Sequence, residues 1–246
     1  MEYLVVFPLG LFAGTVGGVV GTGSSLILMP ALVWLFGPQQ AVPVMAIGAV
    51  FGNLGRVLAW WRDVDCRACA AYCSTAVPGA VWGVHTLLTI PAGAAEAALG
   101  SFFLLLVPAR RWLLARSITI SLAHLAHLAH LALLGGPLGF LTGMVVSTGP
   151  LTVPLFTFHG LERGVFLATE AAGSIGVYLA KLATFRGFDA LPPAVIVHGL
   201  VTGAALMAGA FIGKSVVLRL SPAFYRYLID ALMLASGIVL LLIAVR

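Results

Sequence analysis

Apolar runs follow one another along almost the whole chain, and short polar stretches separate them. Several runs approach the roughly 20 residues that an α-helix needs to cross a bilayer. The pattern predicts ten hydrophobic segments, at 3–20, 25–36, 41–61, 68–90, 92–107, 125–146, 150–158, 164–184, 193–214 and 223–245. The second and the seventh are too short to cross alone, so we interpret them as half-helices. The prediction is an all-α polytopic membrane protein with broken helices and about 8–10 transmembrane segments.

The first broken helix is predicted where glycine interrupts an apolar stretch, GLFAGTVGGVVGTGSSLILMP, at 10–30. The turn itself comprises Gly21, Thr22, Gly23, Ser24 and Ser25. Glycine and proline weaken a helix interior, and broken backbone inside hydrocarbon persists only where protein buries it or where it lines a polar cavity. Two part-helices that meet in a Gly-Ser turn would point backbone N–H groups inward, where they attract an anion. The alternative is that the small residues only allow helices to pack closely.

The two halves of the chain resemble each other, which predicts an internal duplication. The first turn has its counterpart in Ser147, Thr148 and Gly149, and a proline follows each turn. Further along, GNLG at 52–55 matches GSIG at 173–176. We therefore divide the chain into a first membrane repeat (1–108), a basic linker (109–124) and a second membrane repeat (125–246).

The relative orientation of the two repeats stays open at this point. If all ten segments change sides, each repeat has five, the repeats are inverted, and both termini lie outside. If each broken pair makes a single crossing, eight spans remain, the repeats run parallel, and both termini lie inside. The distribution of Arg and Lys among the loops slightly favours the inverted arrangement.

Composition agrees with membrane insertion and excludes a soluble domain. Hydrophobic residues make up 61% of the chain and charged residues 9%. The net charge of +5 does not indicate nucleic-acid binding, because Lys and Arg lie mainly near the ends of hydrophobic runs. The first residues lack a basic n-region, so we interpret the first segment as a retained span and not as a signal peptide. No nucleotide-binding loop is found in the sequence, so we expect no cofactor and transport driven by an ion or proton gradient.

The glycine motifs resemble those of the TauE/SafE sulfite exporter family of membrane transporters. The form G-x-x-x-G-x-x-G-G-x-x-G-x-G runs here from Gly10 to Gly23 and is followed by a Pro-x-Leu at Pro30, and the second half repeats it from Gly139 to Pro154. The resemblance implies a multi-pass transporter of the cytoplasmic membrane and not an enzyme. It also implies a small anionic substrate, such as sulfite, a sulfonate or another sulfur-containing or organic anion. Beyond that substrate and the lipid bilayer we expect no nucleic-acid partner, and a homodimer is compatible with the sequence.

Polar residues inside apolar segments are the remaining candidates for the site. Asn53 and Ser174 occupy equivalent positions in the two halves and could complete an anion site, or each could join two helices by a hydrogen bond. Glu170 lies seven residues into the eighth segment, and an intramembrane carboxylate usually faces a cavity or a partner. We predict that Glu170 couples transport to a proton; the alternative is a structural pair with Lys181 or Arg56. Arg56 would either snorkel to the interface or face the cavity as a counter-charge.

A thiol or metal relay in the membrane is the competing hypothesis from another functional class. Its candidate residues are Cys66, Cys69 and Cys73, which share one face of a helix, and a looser stripe of His124, His127 and His130. Thiolates could hold a metal or exchange with a disulfide. The simpler interpretations are that the cysteines pack as small apolar residues and that the histidines arose by local duplication of a triplet. We therefore predict no metal site.

Overall fold

The computed structural model describes residues 2–20, 24–91, 124–144 and 163–216, together with isolated helical positions within 94–112 and 231–242. Almost all of these residues are helical, and none of them lies in a β-strand. The predicted all-α class is therefore confirmed for the described part of the chain.

The continuously described ranges contain seven α-helices and one short 3-10 helix. Their bounds are Glu2–Val20 (α1), Ser24–Phe36 (α2), Pro38–Ala59 (α3), Cys66–Thr89 (α4), His124–Met144 (α5), Arg163–Gly187 (α6) and Pro193–Val216 (α7), with the 3-10 helix at Trp61–Asp63. Each α-helix agrees with a predicted segment to within about one turn. The predicted segments 92–107, 150–158 and 223–245 lie outside the continuously described ranges.

Short connections with defined backbone geometry join α2, α3 and α4. Gly37 adopts φ 74°, which side-chain-bearing residues rarely adopt, and this allows α3 to begin directly after α2. Pro38 then occupies the first turn of α3, where a backbone N–H would have no helical partner. Asp65 caps α4, because its carboxylate accepts hydrogen bonds from the backbone N–H groups of Arg67 (2.9 Å) and Ala68 (3.1 Å).

Glycine allows two helix pairs to approach until their backbones touch. A Cβ atom on Gly83 of α4 would lie 2.8 Å from the Cα atom of Gly143 on α5. A Cβ atom on Gly209 of α7 would lie 2.6 Å from the backbone nitrogen of Thr15 on α1. Gly14 of α1 likewise faces the backbone of α7. For Gly14, which belongs to the first glycine-rich stretch, the close-packing interpretation is therefore confirmed.

The helices α3 and α6 cross in opposite directions. Arg56, near the end of α3, pairs with Glu170 in the first half of α6. Ala46 and Ala49, earlier in α3, pack against Tyr178, which comes later in α6. Because position along one helix rises as position along the other falls, the two helices are antiparallel.

Four further helices, α1, α4, α5 and α7, run parallel either to α3 or to α6. Along α7 and α3, Gly199 faces Ile47 and Gly203 faces Phe51, so these two helices are parallel. Glycine contacts show in the same way that α1 is parallel to α7 and that α4 is parallel to α5 and to α6. The set α1, α3 and α7 therefore runs opposite to the set α4, α5 and α6.

When each helix is replaced by its counterpart from the other half of the chain, the same main helix contacts result. Under the predicted duplication α1 corresponds to α5, α3 to α6 and α4 to α7. The α1–α7 contact then corresponds to α5–α4, and the α3–α7 contact corresponds to α6–α4; all four are present. The α3–α6 contact corresponds to itself, so it lies at the centre of the described helices.

Large apolar side chains cover much of the outer surface. Trp34, Trp82 and Leu133 are exposed by 68%, 76% and 72%. Within the described residues, two helices are long and apolar enough by themselves to cross a membrane, at Gln39–Leu58 in α3 and Pro193–Ile212 in α7. Such a surface is favourable where lipid covers it and unfavourable in water.

Candidate functional site

Four polar side chains meet where α3 crosses α6. The guanidinium of Arg56 donates one hydrogen bond from Nη1 to Oε2 of Glu170 (2.9 Å) and another from Nη2 to Oδ1 of Asn53. The hydroxyl of Ser174 donates to the second carboxylate oxygen, Oε1 of Glu170, at 3.0 Å. We call Asn53, Arg56, Glu170 and Ser174 the α3–α6 polar network.

Helical periodicity brings the members of the network together. Asn53 and Arg56 are three positions apart on α3, and Glu170 and Ser174 are four positions apart on α6, so each pair lies on one helix face. Asn53 is held further by its Nδ2 group, which donates to the carbonyl oxygen of Ala49 (2.8 Å). The network is therefore fixed to the backbone of α3 and closed by side chains of α6.

The network is charged and almost wholly removed from solvent. The side chains of Arg56 and Glu170 are 11% and 4% exposed, and Asn53 is 4% exposed. Burial of a single charge between apolar helices is costly, and a hydrogen-bonded pair of opposite charges offsets much of that cost. The pair has no net charge, and its arginine end is the more accessible one.

Helix α4 closes the network from a third direction. The backbone N–H of Asp65 donates to Oγ1 of Thr169 (2.9 Å), and the thiol of Cys73 donates to the carbonyl oxygen of Gly173 (3.5 Å). The side chain of Tyr72 is buried, and its ring lies next to Gly173. These contacts, made by Thr169 and Gly173, hold α4 against α6 beside Glu170 and Ser174.

The structure decides between alternatives that the sequence left open. Asn53 and Ser174, the predicted equivalents, do lie in one network. Arg56 faces inward as a counter-charge and does not extend to the interface, so the snorkelling interpretation is wrong. The partner of Glu170 is Arg56 and not Lys181, which lies eleven positions further along α6. Whether Glu170 also couples transport to a proton stays a prediction.

The described start of α2 is level with the network. Gly14 of α1 and Gly52 of α3 both face Leu206 of α7, so the parallel helices α1 and α3 are level at these two positions. Gly17 comes one turn later on α1, and a Cβ atom there would lie 3.1 Å from Cβ of Ser24. The first residues of α2 therefore lie at the depth of Asn53 and Arg56.

The described residues include part of the first predicted Gly-Ser turn and none of the second. Ser24 and Ser25 begin α2, and Ser25 is buried, with 3% exposure. The rest of the first turn, Gly21, Thr22 and Gly23, lies outside the described residues. So do Ser147, Thr148 and Gly149 of the second turn.

A second buried cation lies beside the end of α5. Lys181 is fully buried, and its Nζ atom donates to the carbonyl oxygen of Thr142 (2.5 Å). The ring of Tyr178 lies 5.7 Å from the ammonium. Eleven helical positions separate Lys181 from Glu170, or about 16 Å along α6. The ends of α1 and α5, which lead into the two predicted turns, therefore lie at different depths.

The cysteine and histidine motifs do not form a metal centre in the described part of the chain. Cys66 is exposed, Cys69 and Cys73 are partly buried, and all three are free thiols. Within the described residues, no three or more His, Cys, Asp or Glu side chains lie together in a group that could hold a metal ion. The side chains of His124 and His127 lie outside the described set. The thiol or metal relay is therefore not supported.

Comparison with known proteins extends the resemblance found in the sequence. A family model described as sulfite exporter TauE/SafE matches residues 6–240. The probable membrane transporter protein YunE of Bacillus subtilis is 27% identical over 135 residues, which cover 50% of this chain and 49% of YunE. The chain thus spans about half the length of the curated relative that it matches. No solved structure matches the chain.

Proposed function

Because the chain belongs to the TauE/SafE sulfite exporter family, we propose that it is a secondary transporter of a small oxyanion. The glycine motifs predicted membership of this family, and the members of the family are membrane transporters. The substrate that we propose is sulfite, a sulfonate or another sulfur-containing or organic anion, carried across the cytoplasmic membrane by a multi-pass protein. The small anion and the lipid bilayer are the proposed partners; nucleic acid is not, and a homodimer is compatible with the exposed apolar surface.

The observation that carries this proposal is a cation buried between apolar helices at the centre of the molecule. Arg56 lies in the α3–α6 contact, where equivalent residues of the two halves, Asn53 and Ser174, are in the same network. A charged group inside a membrane protein is costly and usually marks a pathway for substrate or ions. A guanidinium is suited to bind oxyanions, because its planar N–H groups match two oxygens of one anion.

The predicted Gly-Ser turns supply the second part of the proposed anion site. The first turn, from Gly21 to Ser25, follows the end of α1, which is level with Arg56. The second, from Ser147 to Gly149, follows the end of α5, beside the buried ammonium of Lys181. Each turn thus has a basic side chain at its own depth. This side chain favours binding of an anion by the backbone N–H groups of the turn.

We further propose that the two membrane repeats are inverted, with 1–108 and 125–246 joined by the linker 109–124. The directions of the described helices support this arrangement. Each helix of the first half runs opposite to its counterpart in the second half: α1 to α5, α3 to α6 and α4 to α7. Inverted repeats occur in many transporters, where alternate access arises when one part rocks against the other.

Glu170 is the proposed coupling group. It is a carboxylate inside the helical core, it is bonded to the proposed anion-binding cation, and Ser174 contacts its second oxygen. Transport energised by a proton gradient agrees with the lack of a nucleotide-binding loop in the sequence.

Uptake into proteoliposomes tests the function. The purified protein is reconstituted, and accumulation of sulfite, sulfate, methanesulfonate and acetate is measured with and without a pH gradient. We expect gradient-dependent uptake of at least one sulfur oxyanion, and none in protein-free liposomes or with Gly23→Val, whose side chain blocks close approach of an anion to the backbone. Equal uptake by the wild type and by protein-free liposomes would refute the proposal.

A further inference from the structure

We propose that Arg56 binds the transported anion directly, and that the anion competes with the ionised carboxylate of Glu170 for the guanidinium. The inference rests on the proposed transport of an oxyanion. It deepens that function because it states how the anion displaces Glu170 from Arg56 and how one proton is bound with each monovalent anion.

The guanidinium already holds an oxyanion of this chain. Its Nη1 atom donates to Glu170, and its Nη2 atom donates to Asn53. A carboxylate and a sulfonate present the same kind of acceptor, with two or more oxygens on one central atom. A substrate oxyanion can therefore take the place of Glu170 on Arg56 without a change in the shape of the guanidinium.

The accessible surface of the pair lies on the arginine. Arg56 is 11% exposed, whereas Glu170 is 4% exposed. Asn53 is anchored to the carbonyl oxygen of Ala49, so it continues to orient the guanidinium when the carboxylate is displaced. A side chain that is more accessible than its carboxylate partner and is fixed from one side is expected of a group that exchanges that partner.

Ser174 permits Glu170 to change its protonation state in place. Its hydroxyl donates to Oε1 of the ionised carboxylate at 3.0 Å. A hydroxyl can also accept a hydrogen bond, so it can rotate and accept from the O–H of a carboxylic acid at the same position. Both protonation states of Glu170 therefore keep a hydrogen-bond partner on α6.

Charge balance couples binding of the anion at Arg56 to protonation of Glu170. If a monovalent anion bound to Arg56 while Glu170 stayed ionised, a buried site with one cation would hold two negative charges, which is strongly unfavourable. When a proton from water adds to a carboxylate oxygen of Glu170, the bound anion replaces that carboxylate charge for charge. The anion and one proton thus bind together and leave together.

Other ionisable groups lie on the elements that pack against α6 around Glu170. They are Arg56 on α3, Tyr72, Cys73 and Asp65 on and before α4, and Arg62 and Asp63 on the 3-10 helix. On α6 itself, Lys181 lies about three turns away. Among the described residues, Glu170 is the carboxylate bonded to Arg56, so removal of its charge isolates the proposed step.

The test measures binding of methanesulfonate to the purified chain in nanodiscs, since the charge of this anion is constant between pH 5 and pH 8. Calorimetry in two buffers with different ionisation enthalpies counts the protons bound with the anion. For the wild type we expect about one proton per anion, and therefore an affinity that falls by up to about tenfold for each unit of rising pH.

Two variants separate the roles of the pair. Glu170→Gln is expected to bind methanesulfonate without proton uptake and with an affinity independent of pH, because the competing carboxylate is absent. The double variant Arg56→Gln/Glu170→Gln, which buries no charge at this site, is expected to bind about 10- to 100-fold more weakly than Glu170→Gln. Arg62→Gln removes an exposed arginine stacked over Trp61 and serves as the matched control with wild-type binding.

The outcomes distinguish this inference from the proposed function. Proton uptake that persists in Glu170→Gln, or equal binding by the double variant and by Glu170→Gln, would overturn the inference alone. If sulfite, sulfate, methanesulfonate and acetate all fail to bind the wild type, the proposed function fails and the inference fails with it.

Discussion

The Nζ atom of Lys181 lies 2.5 Å from the carbonyl oxygen of Thr142, and the lysine side chain is completely buried. Thr142 is in the last turn of α5, where backbone carbonyls carry a partial negative charge that favours a cation. Within the described residues the ammonium has no carboxylate partner. A carbonyl dipole and the ring of Tyr178 offset only part of the cost of burying this charge.

Replacement of Lys181 by methionine should leave the folded protein as stable as the wild type or more stable. Methionine fills a similar volume and removes the buried charge, and such exchanges are often neutral or stabilising by about 1–4 kcal/mol. Lys181→Ala should instead lower the melting temperature, because it leaves a cavity. Thermal unfolding of both variants in one detergent measures the difference. If methionine destabilised as much as alanine, the ammonium would contribute more than its burial costs.

The ion pair between Arg56 and Glu170 should be visible as a non-additive effect on stability. Arg56→Gln alone leaves a buried carboxylate without this partner, and loss of one member of a buried pair typically costs about 3–5 kcal/mol. The double variant with Glu170→Gln should lose clearly less than the sum of the two single variants. Titration with sodium dodecyl sulfate gives the free energies of unfolding for this cycle. Strict additivity would mean that the two side chains do not stabilise each other.

Close helix packing predicts a sharp difference between two glycines. Gly83→Ala places a methyl group against the backbone of α5, at 2.8 Å from Cα of Gly143, so α4 and α5 must move apart. Gly187→Ala, at the exposed end of α6, places its methyl group in open space. We expect a loss of thermal stability for the first variant and almost none for the second. Equal melting temperatures would contradict the close α4–α5 contact.

The sequence indicated the helical framework and named all four members of the central network as candidates. Apolar runs marked each described helix, and the duplication marked Asn53 and Ser174 as equivalents. Helical spacing within the one predicted segment already separates Glu170 from Lys181 by about 16 Å, which is too far for an ion pair. The sequence could not place Arg56 opposite Glu170, because that pairing depends on the antiparallel packing of α3 against α6.

Helix direction also predicts on which sides of the membrane two loops lie. α3 and α6 are antiparallel, so the residues that follow them, 60–65 and 188–192, should be on opposite faces. Arg62→Cys and Arg186→Cys, both at exposed positions, can be labelled in a background without Cys66, Cys69 and Cys73. A membrane-impermeant maleimide added to intact cells should label one of them, and it should label the other only after lysis. Labelling of both from the same side would exclude inverted repeats.

The last prediction concerns transport by the Glu170→Gln variant. Glutamine keeps the shape of the side chain and one acceptor oxygen for Arg56, but it cannot release a proton. If proton binding by Glu170 couples transport to the gradient, the variant should fail to accumulate methanesulfonate in proteoliposomes under a pH gradient. It should still exchange external for internal anion at equal pH on both sides, because exchange requires no net proton movement. A purely structural Glu170 predicts a different pair of results: accumulation and exchange fall together, in proportion to the amount of folded protein, and Arg56→Gln in the same chain restores both. Comparison of the two assays on equal amounts of monodisperse protein therefore separates the coupling role of the carboxylate from its role in the ion pair.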